Sequence, residues 1–231
     1  MRHLALVIFL VLSGGPAGAL VGADLADRTV QRFTVVVAGA KSRCSGVVLA
    51  PDVVLTAAHC VRRGERLRVG GNVGENQTLP PSLLSTVAGI VQHPLYVPRD
   101  SGSPDLAILK LATPLPGRFV PAVLNPRAPG VGDDLIVAGW GTAGDAAANT
   151  VLRMVLQRVA QSFKGWVILG SVGEDAANAG PGDSGGPVFA YRGMHSLVGL
   201  MVAISGKQTK AVALAAHSEW IRETVRKLSA P

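Results

Sequence analysis

The stretch GPGDSGGPV, residues 180–188, places a single serine, Ser184, between an aspartate and two glycines. A serine hydroxyl is a poor nucleophile at neutral pH and needs an adjacent base to become reactive. Glycine allows sharp backbone turns that bring main-chain N–H groups toward a developing oxyanion. The stretch therefore predicts a loop that presents a nucleophile, although such glycines can also simply serve a tight turn.

Two upstream segments supply residues that could activate this serine. LTAAHC (55–60) carries His59, and DLAILKL (105–111) begins with Asp105 in front of a strongly apolar strand. Histidine takes up a proton near neutral pH, and a carboxylate fixes its tautomer and stabilises the imidazolium. Alone, either residue is more often structural. Together with Ser184, they indicate a Ser-His-Asp triad.

The rest of the chain is typical of an all-β protein. It has 231 residues, 48% of them hydrophobic and 16% charged, as in a folded globular protein. Its 28 glycines and 15 prolines are scattered between short apolar runs, which predicts many strands joined by turns. The proline-rich stretch 113–129 interrupts this pattern and is interpreted as a linker between two β-units.

The last segment changes from a strand pattern to a helical one. In SEWIRETVRKL (218–228), apolar or small residues recur with the spacing of one helix face. That face consists of Trp220, Ile221, Thr224, Val225 and Leu228. Ser218 is the predicted N-cap of this helix.

These motifs together resemble the chymotrypsin-type, or trypsin-like, serine protease family. CSGVVLAPDVVLTAAHC resembles the histidine block of that family, and DLAILKL resembles its aspartate block. AGWGT, GDSGGP and LVGLMVA resemble blocks of the family's second half, and the order His, Asp, Ser is also the family's own. The resemblance covers nearly all of the chain after residue 19.

The resemblance implies an all-β fold of two six-stranded antiparallel barrels followed by a C-terminal α-helix. The expected parts are a first barrel (20–112), a linker (113–129), a second barrel (130–216) and a helix (217–231). The active site would lie between the barrels. His59 and Asp105 would come from the first barrel and Ser184 from the second.

The resemblance also assigns chemical roles. Ser184 would be the nucleophile, His59 the general base and acid, and Asp105 the residue that orients the imidazole. The N–H groups of Gly182 and Ser184 would form the oxyanion hole. The expected reaction is hydrolysis of peptide bonds through an acyl-enzyme, with proteins or peptides as substrates and no cofactor or metal.

The beginning of the chain predicts export. Residues 1–19 have a basic start, a short apolar core and the small-residue ending Ala-Gly-Ala of a signal peptide. The apolar core is too short for a transmembrane anchor, which needs about 20 residues. Cleavage after residue 19 would free the α-amine of Leu20, which in this family pairs with the aspartate before the nucleophile, here Asp183. Cleavage after Ala23 is the competing possibility and would remove this motif.

The same resemblance locates the pocket for the substrate residue before the scissile bond. Asn178 lies six residues before Ser184 and falls at the pocket base, where trypsin has an aspartate. Val202, Ile204 and Thr209 fall on the pocket walls, where bulky residues leave room only for small side chains. We therefore expect a preference for small uncharged residues rather than for Arg or Lys.

The cysteines and the charge limit the remaining possibilities. In an exported chain, Cys44 and Cys60 are expected to form one disulfide worth about 3 kcal/mol, with free thiols as the alternative. The net charge of +7 is scattered, without motifs typical of nucleic-acid binding. We expect a secreted or periplasmic monomer without a membrane span. The alternative function is that of a catalytically weak or inactive homologue acting as a basic binding or antimicrobial protein.

Overall fold

The structure is a computed structural model that describes residues 24–40, 42–62, 64–71, 84–141, 151–172, 179–192, 196–205 and 208–230. The expected signal peptide, Leu20 and Asn178 lie outside these residues. The strands of the first part are β1 (Asp24–Leu25), β2 (Thr34–Ala38), β3 (Arg43–Ala50), β4 (Val53–Thr56), β5 (Arg68–Gly70), β6 (Ser85–Gln92) and β7 (Ala107–Leu111). Those of the second part are β8 (Asp134–Gly139), β9 (Arg153–Phe163), β10 (Trp166–Ser171), β11 (Pro187–Ala190), β12 (Leu197–Ser205) and β13 (Gln208–Ala213).

Strands β2 to β7 form the first barrel. They close in the order β2-β3-β4-β7-β6-β5, and every neighbouring pair is antiparallel. Valine and leucine dominate the strands β2, β3 and β4, whose side chains are almost all buried. β-Branched residues pack well on a pleated surface that is covered by a core.

Strands β8 to β13 form the second barrel. The order β9-β10-β13-β12-β11-β8 closes through a further pairing of β8 with β9, again antiparallel throughout. Lys164 and Gly165 connect β9 to β10 with φ angles of 43° and 82°, the backbone that a two-residue hairpin turn requires. The predicted pair of six-stranded antiparallel barrels is therefore confirmed.

Strand β1 precedes the first barrel in the chain but pairs with the second. Asp24 lies opposite Met154 on β9, although residues 20–112 were expected to belong to the first barrel. The strands of the first barrel itself begin at Thr34. The start of the described chain is therefore attached to the barrel that carries Ser184.

The C-terminal helix α2 (Ser218–Ser229) is confirmed, and Ile221 and Thr224 of its apolar face are buried. The prediction that Ser218 caps this helix is wrong. The chain enters α2 directly from a 3₁₀ turn (Leu214–His217), so that Ser218 is already helical and His217 occupies the N-cap position.

A short helix, α1 (Arg28–Phe33), was missed because its residues run into the valine-rich strand β2. Its signal was Asp27, whose Oδ1 accepts a hydrogen bond of 2.8 Å from the N–H of Val30. This is the usual N-cap contact.

The two barrels meet along β3, which packs against β8 and β11. The phenyl rings of Phe33 and Phe189, one from each side of this contact, have centroids 5.6 Å apart. The linker expected at 113–129 crosses from one barrel to the other and buries Leu115, Phe119 and Ala122. The packing of β3 against β8 and β11 brings the histidine and serine motifs to the same cleft.

Candidate active site

His59 lies on a 3₁₀ turn (Ala58–Cys60) that follows β4, and Asp105 lies just before β7, the neighbour of β4 in the barrel. Both carboxylate oxygens of Asp105 bind the histidine. Oδ1 accepts a hydrogen bond of 2.9 Å from the main-chain N–H, and Oδ2 lies 2.6 Å from Nδ1. With its proton on Nδ1, the ring keeps Nε2 as an acceptor. The geometry therefore holds the imidazole in the tautomer that a general base requires.

Ser184 lies on a tight loop at the end of the second barrel nearest to His59. Gly182 and Gly185 on either side have φ angles of 96° and 81°, a left-handed backbone that favours glycine. The N–H of Gly185 donates a hydrogen bond of 2.7 Å to the carbonyl oxygen of Met201 on β12. The loop is therefore anchored to a strand of its own barrel immediately after the serine.

The sulfur of Cys60 connects the two motifs. Its Sγ lies 3.7 Å from Nε2 of His59 and 3.8 Å from the carbonyl oxygen of Ser184. Within the described residues, no hydrogen bond joins the Ser184 hydroxyl to the imidazole. Hydrogen bonds between catalytic groups are often long without substrate and tighten when substrate binds.

In the serine loop, the N–H groups of Gly182 and Ser184 have no hydrogen-bond partner among the described residues. By contrast, the N–H groups of Asp183, Gly185 and Gly186 all donate to main-chain carbonyl oxygens. Main-chain N–H groups in folded proteins are nearly always paired. This pair of unbonded donors beside Ser184 is therefore suited to receive an oxygen from outside the chain.

Asp183 is fully buried beneath this loop. Its Oδ1 accepts a hydrogen bond of 2.7 Å from the N–H of Gly141, and Oδ2 accepts one of 2.8 Å from the N–H of Gly180. Burial raises the pKa of Asp183 to about 6, and the two N–H donors partly oppose that shift. This carboxylate explains the two glycines of AGWGT, because side chains at Gly139 and Gly141 would collide with it.

Ser45 on β3 is a site residue that sequence reasoning missed. Its Oγ donates a hydrogen bond of 3.0 Å to the carbonyl oxygen of Gly182 and accepts one of 2.9 Å from the N–H of Trp140. Its own N–H donates to the carbonyl oxygen of Ser184 at 2.8 Å. The only signal was its place next to Cys44, which does not reveal that it contacts a loop more than 130 residues away.

The disulfide between Cys44 and Cys60 is confirmed, and it closes a loop of sequence separation 16. It ties β3 to the turn that carries His59. The sulfurs also lie within 4.8 Å of a ring nitrogen of His59, an arrangement that could suggest a metal site. Because both sulfurs are used in the disulfide, they are not available as thiolate ligands.

Three of the four expected pocket residues lie on neighbouring strands. Ile204 of β12 is the direct cross-strand partner of Thr209 on β13, and residues in such pairs project from the same face. Thr209 is 1% exposed, and its hydroxyl has no hydrogen-bond partner among the described residues. Val202 is buried as well.

The family model for Trypsin matches residues 20–221. The serine protease SSP1 of Scolopendra subspinipes is 31% identical over 79% of this chain and 73% of its own length. Human cathepsin G is 28% identical over 96% of this chain and 94% of its own. The solved structure of neuropsin, a serine protease of mouse brain, has a TM-score of 0.72 at 22% identity and covers 89% of this chain and 99% of its own.

The chain therefore belongs to the trypsin family of serine proteases. The fold, the disulfide and the order of the motifs agree with this assignment. In the part of the chain that the structure describes, no helix is long and apolar enough to cross a membrane.

Proposed function

We propose that this protein is an exported serine endopeptidase that hydrolyses peptide bonds through an acyl-enzyme. Ser184 attacks the carbonyl carbon of the scissile bond, and Nε2 of His59 removes its proton and later delivers it to the leaving amine. Asp105 holds the imidazole and stabilises its protonated form. The observation that carries this proposal is the double contact of the Asp105 carboxylate with Nδ1 and the main-chain N–H of His59.

The oxyanion hole of this proposal consists of the N–H groups of Gly182 and Ser184. Both groups are free of hydrogen bonds among the described residues, and both flank the nucleophile. Fixed donors of this kind stabilise the negative oxygen of the tetrahedral intermediate because they need no reorganisation during the reaction.

The pocket for the residue before the scissile bond accepts small uncharged side chains such as Ala or Val. Ile204 and Thr209 support this preference because they are cross-strand partners on β12 and β13 and so occupy the same face of the expected pocket wall. Val202 lies on β12 as well and is buried. Asn178, the expected residue of the pocket base, is neutral and so gives no partner to a substrate Arg or Lys.

The N-terminal amine of Leu20, freed when the signal peptide is removed, pairs with Asp183. The position of β1 supports this pairing. Asp24 lies two strands, or about 10 Å, from the segment of β8 against which Asp183 packs. Four extended residues reach about 13 Å, which is enough for residue 20 to arrive at the carboxylate. The ion pair would offset the cost of burying a charged Asp183 and fix the shape of the serine loop.

Labelling with a fluorophosphonate tests the proposal directly. The purified protein that begins at Leu20 should acquire one covalent label on Ser184, and the Ser184→Ala variant should acquire none. Ser184→Ala or His59→Ala should reduce turnover of a peptide substrate by about 10⁶-fold, because the triad acts as a unit. A folded protein without label or turnover would instead support the inactive binding protein described above.

A further inference from the structure

Lys210 on β13 places a positive charge where the two barrels meet. Its Nζ lies 3.9 Å from the centre of the Trp166 ring and donates a hydrogen bond of 2.5 Å to the carbonyl oxygen of Ser101. Ser101 precedes Asp105 by four residues in the loop that leads to β7. A cation of the second barrel therefore touches the loop of the first barrel that carries Asp105.

The register of β12 gives the distance of this cation from the nucleophile. Met201 exchanges two main-chain hydrogen bonds with the serine loop, one with Gly185 and one with Gly186. Ala203 follows two residues later, and its cross-strand partner is Lys210. An extended chain advances about 3.3 Å per residue, and the register shift between Met201 and Ala203 shortens this rise, so that Lys210 lies within about 7 Å along β12 from the serine loop.

This part of β12 has an edge that can receive a peptide. Its pairing with β11 ends at Leu200, whereas its pairing with β13 continues to Ser205. Beyond Met201, the edge of β12 away from β13 has no strand partner among the described residues. Such an edge binds an extended peptide by adding it as a further strand.

The two faces of β12 would then contact different substrate residues. Ile204 and Thr209 lie on the face of the proposed pocket, whereas Ala203 and Lys210 lie on the opposite face, because successive side chains of a strand alternate. Ala203 is small and exposed, so that it leaves the Lys210 side chain open to the cleft. A peptide whose scissile bond lies at Ser184 would place its second or fourth upstream residue beside this cation, because its side chains alternate as well.

The charge of Lys210 has no carboxylate partner among the described residues. Asp105 is bound to His59, and Oδ1 of Asp100 accepts a hydrogen bond from the N–H of Gly102. Neither of these carboxylates forms an ion pair with Lys210. The ammonium group has three donors, and Ser101 uses one. Two donors remain for a carboxylate that arrives with the substrate.

We infer that Lys210 forms a subsite for an acidic side chain, Asp or Glu, at the second or fourth residue before the scissile bond. The inference rests on the proposed endopeptidase function and names a substrate class for it. The subsite acts on binding and is separate from the pocket of Ile204 and Thr209.

Matched peptides test the inference. They share Ala before the scissile bond and differ only in Glu, Gln or Lys at one upstream position. The wild type should show a kcat/KM for Glu about three- to tenfold above that for Gln at one of these positions, with Lys the poorest. Lys210→Met keeps a side chain of similar length without the charge and should abolish the difference, whereas Lys210→Arg should retain it. Lys227→Gln removes an equal charge from α2 and should leave the preference unchanged.

The outcomes separate this inference from the proposed function. Cleavage of the Gln peptide with equal rates for Glu and Gln would overturn the Lys210 subsite and leave the endopeptidase intact. A preference that survives in Lys210→Met would also overturn it. If no peptide is cleaved, the endopeptidase proposal fails. In that case, the same peptides carry a fluorescent label, and anisotropy measures their binding to the wild type and to Lys210→Met. This comparison still decides whether Lys210 selects acidic side chains.

Discussion

The hydroxyl of Ser45 donates a hydrogen bond of 3.0 Å to the carbonyl oxygen of Gly182, and so links the first barrel to the loop that carries Ser184. The Oγ atom of Ser45 also accepts a hydrogen bond from the N–H of Trp140, which lies between the two glycines that enclose Asp183. One small side chain therefore joins three segments that are far apart in the sequence. Its contact with Gly182 lies directly beside the proposed oxyanion hole.

We predict that Ser45→Ala lowers both stability and turnover. The change leaves the carbonyl of Gly182 and the N–H of Trp140 without this partner, which should cost about 1–3 kcal/mol in the free energy of unfolding. It should also reduce kcat, because the serine loop loses a support. Ser85→Ala is the matched control, since Ser85 Oγ bonds the Thr113 carbonyl at 2.8 Å in the first barrel. Urea unfolding measures the stability of both variants, and peptide turnover measures their kcat. Equal kcat values for Ser45→Ala and Ser85→Ala would contradict a role for Ser45 in the site.

A second prediction concerns the orientation of the imidazole. Asp105→Asn should reduce kcat by about 10⁴-fold, the size typical of the family's triad, because an amide in place of the carboxylate favours the wrong tautomer of His59. Asp100→Asn alters an exposed carboxylate of the same loop and should change kcat little. Steady-state kinetics on one peptide is sufficient. A variant Asp105→Asn with nearly wild-type kcat would exclude this residue from the triad.

The specificity pocket provides a third prediction. Ile204→Gly combined with Thr209→Gly should shift the preferred residue before the scissile bond from Ala or Val toward larger apolar residues, because both changes remove side chains from the same face. Profiling with a peptide library measures the shift. Ala203→Gly lies on the opposite face and should leave the profile unchanged. If the wild type already prefers Arg, Lys or Phe, the proposed pocket is wrong.

The pairing of Leu20 with Asp183 predicts a dependence on both chain length and pH. One extra alanine before Leu20 should abolish most turnover while the triad stays intact, because the longer chain end no longer fits. In that longer form, the raised pKa of Asp183 means that folding favours its protonated form. The contribution of Asp183 to the free energy of unfolding should then fall as the pH rises from about 4 through 6, by up to about 3 kcal/mol.

The form that begins at Leu20 should lack this Asp183-dependent loss and should lose turnover in alkali, where the amine loses its proton. Asp183→Asn should remove this contribution from the longer form. Measurements of the free energy of unfolding between pH 4 and 9 cover all three proteins. Equal turnover with and without the added alanine would show that Leu20 does not control the serine loop.

The last prediction concerns a histidine pair behind the site. Nδ1 of His217 lies 3.2 Å from Nε2 of His93, and the His93 ring also packs against Trp220 on α2. Burial, and then the nearby His93, lower the pKa of His217 to about 4. A depressed histidine pKa adds stability at neutral pH that is lost as the pH falls from 6.5 to about 4.

His217→Gln should therefore flatten the loss of stability between pH 6.5 and 4. Thermal unfolding of the variant and the wild type across this range measures the effect. Burial also lowers the pKa of His93, so that His93→Gln should change the slope in the same direction. Parallel curves of stability against pH for the wild type and His217→Gln would contradict the role of the lowered His217 pKa.

The sequence by itself determined the architecture. The alternation of short apolar runs with glycine and proline predicted strands, and the helical spacing at 218–228 predicted α2. The motifs around His59, Asp105 and Ser184 indicated the family and the order of the barrels. These signals are local, because a strand pattern, a turn or a motif is complete within a few residues.

Only the tertiary structure decided which distant groups meet. The contact of Ser45 with Gly182 and the bridge from Lys210 to Ser101 join residues of different barrels, and no local pattern encodes them. Closure of each barrel and the packing of β3 against β8 and β11 bring these groups together. The same holds for the cap of α2, because the preceding 3₁₀ turn, rather than the preference of Ser218, set where the helix begins. Side-chain hydrogen bonds and charges act over a few ångströms in space, so their partners depend on the packed barrels and not on distance along the chain.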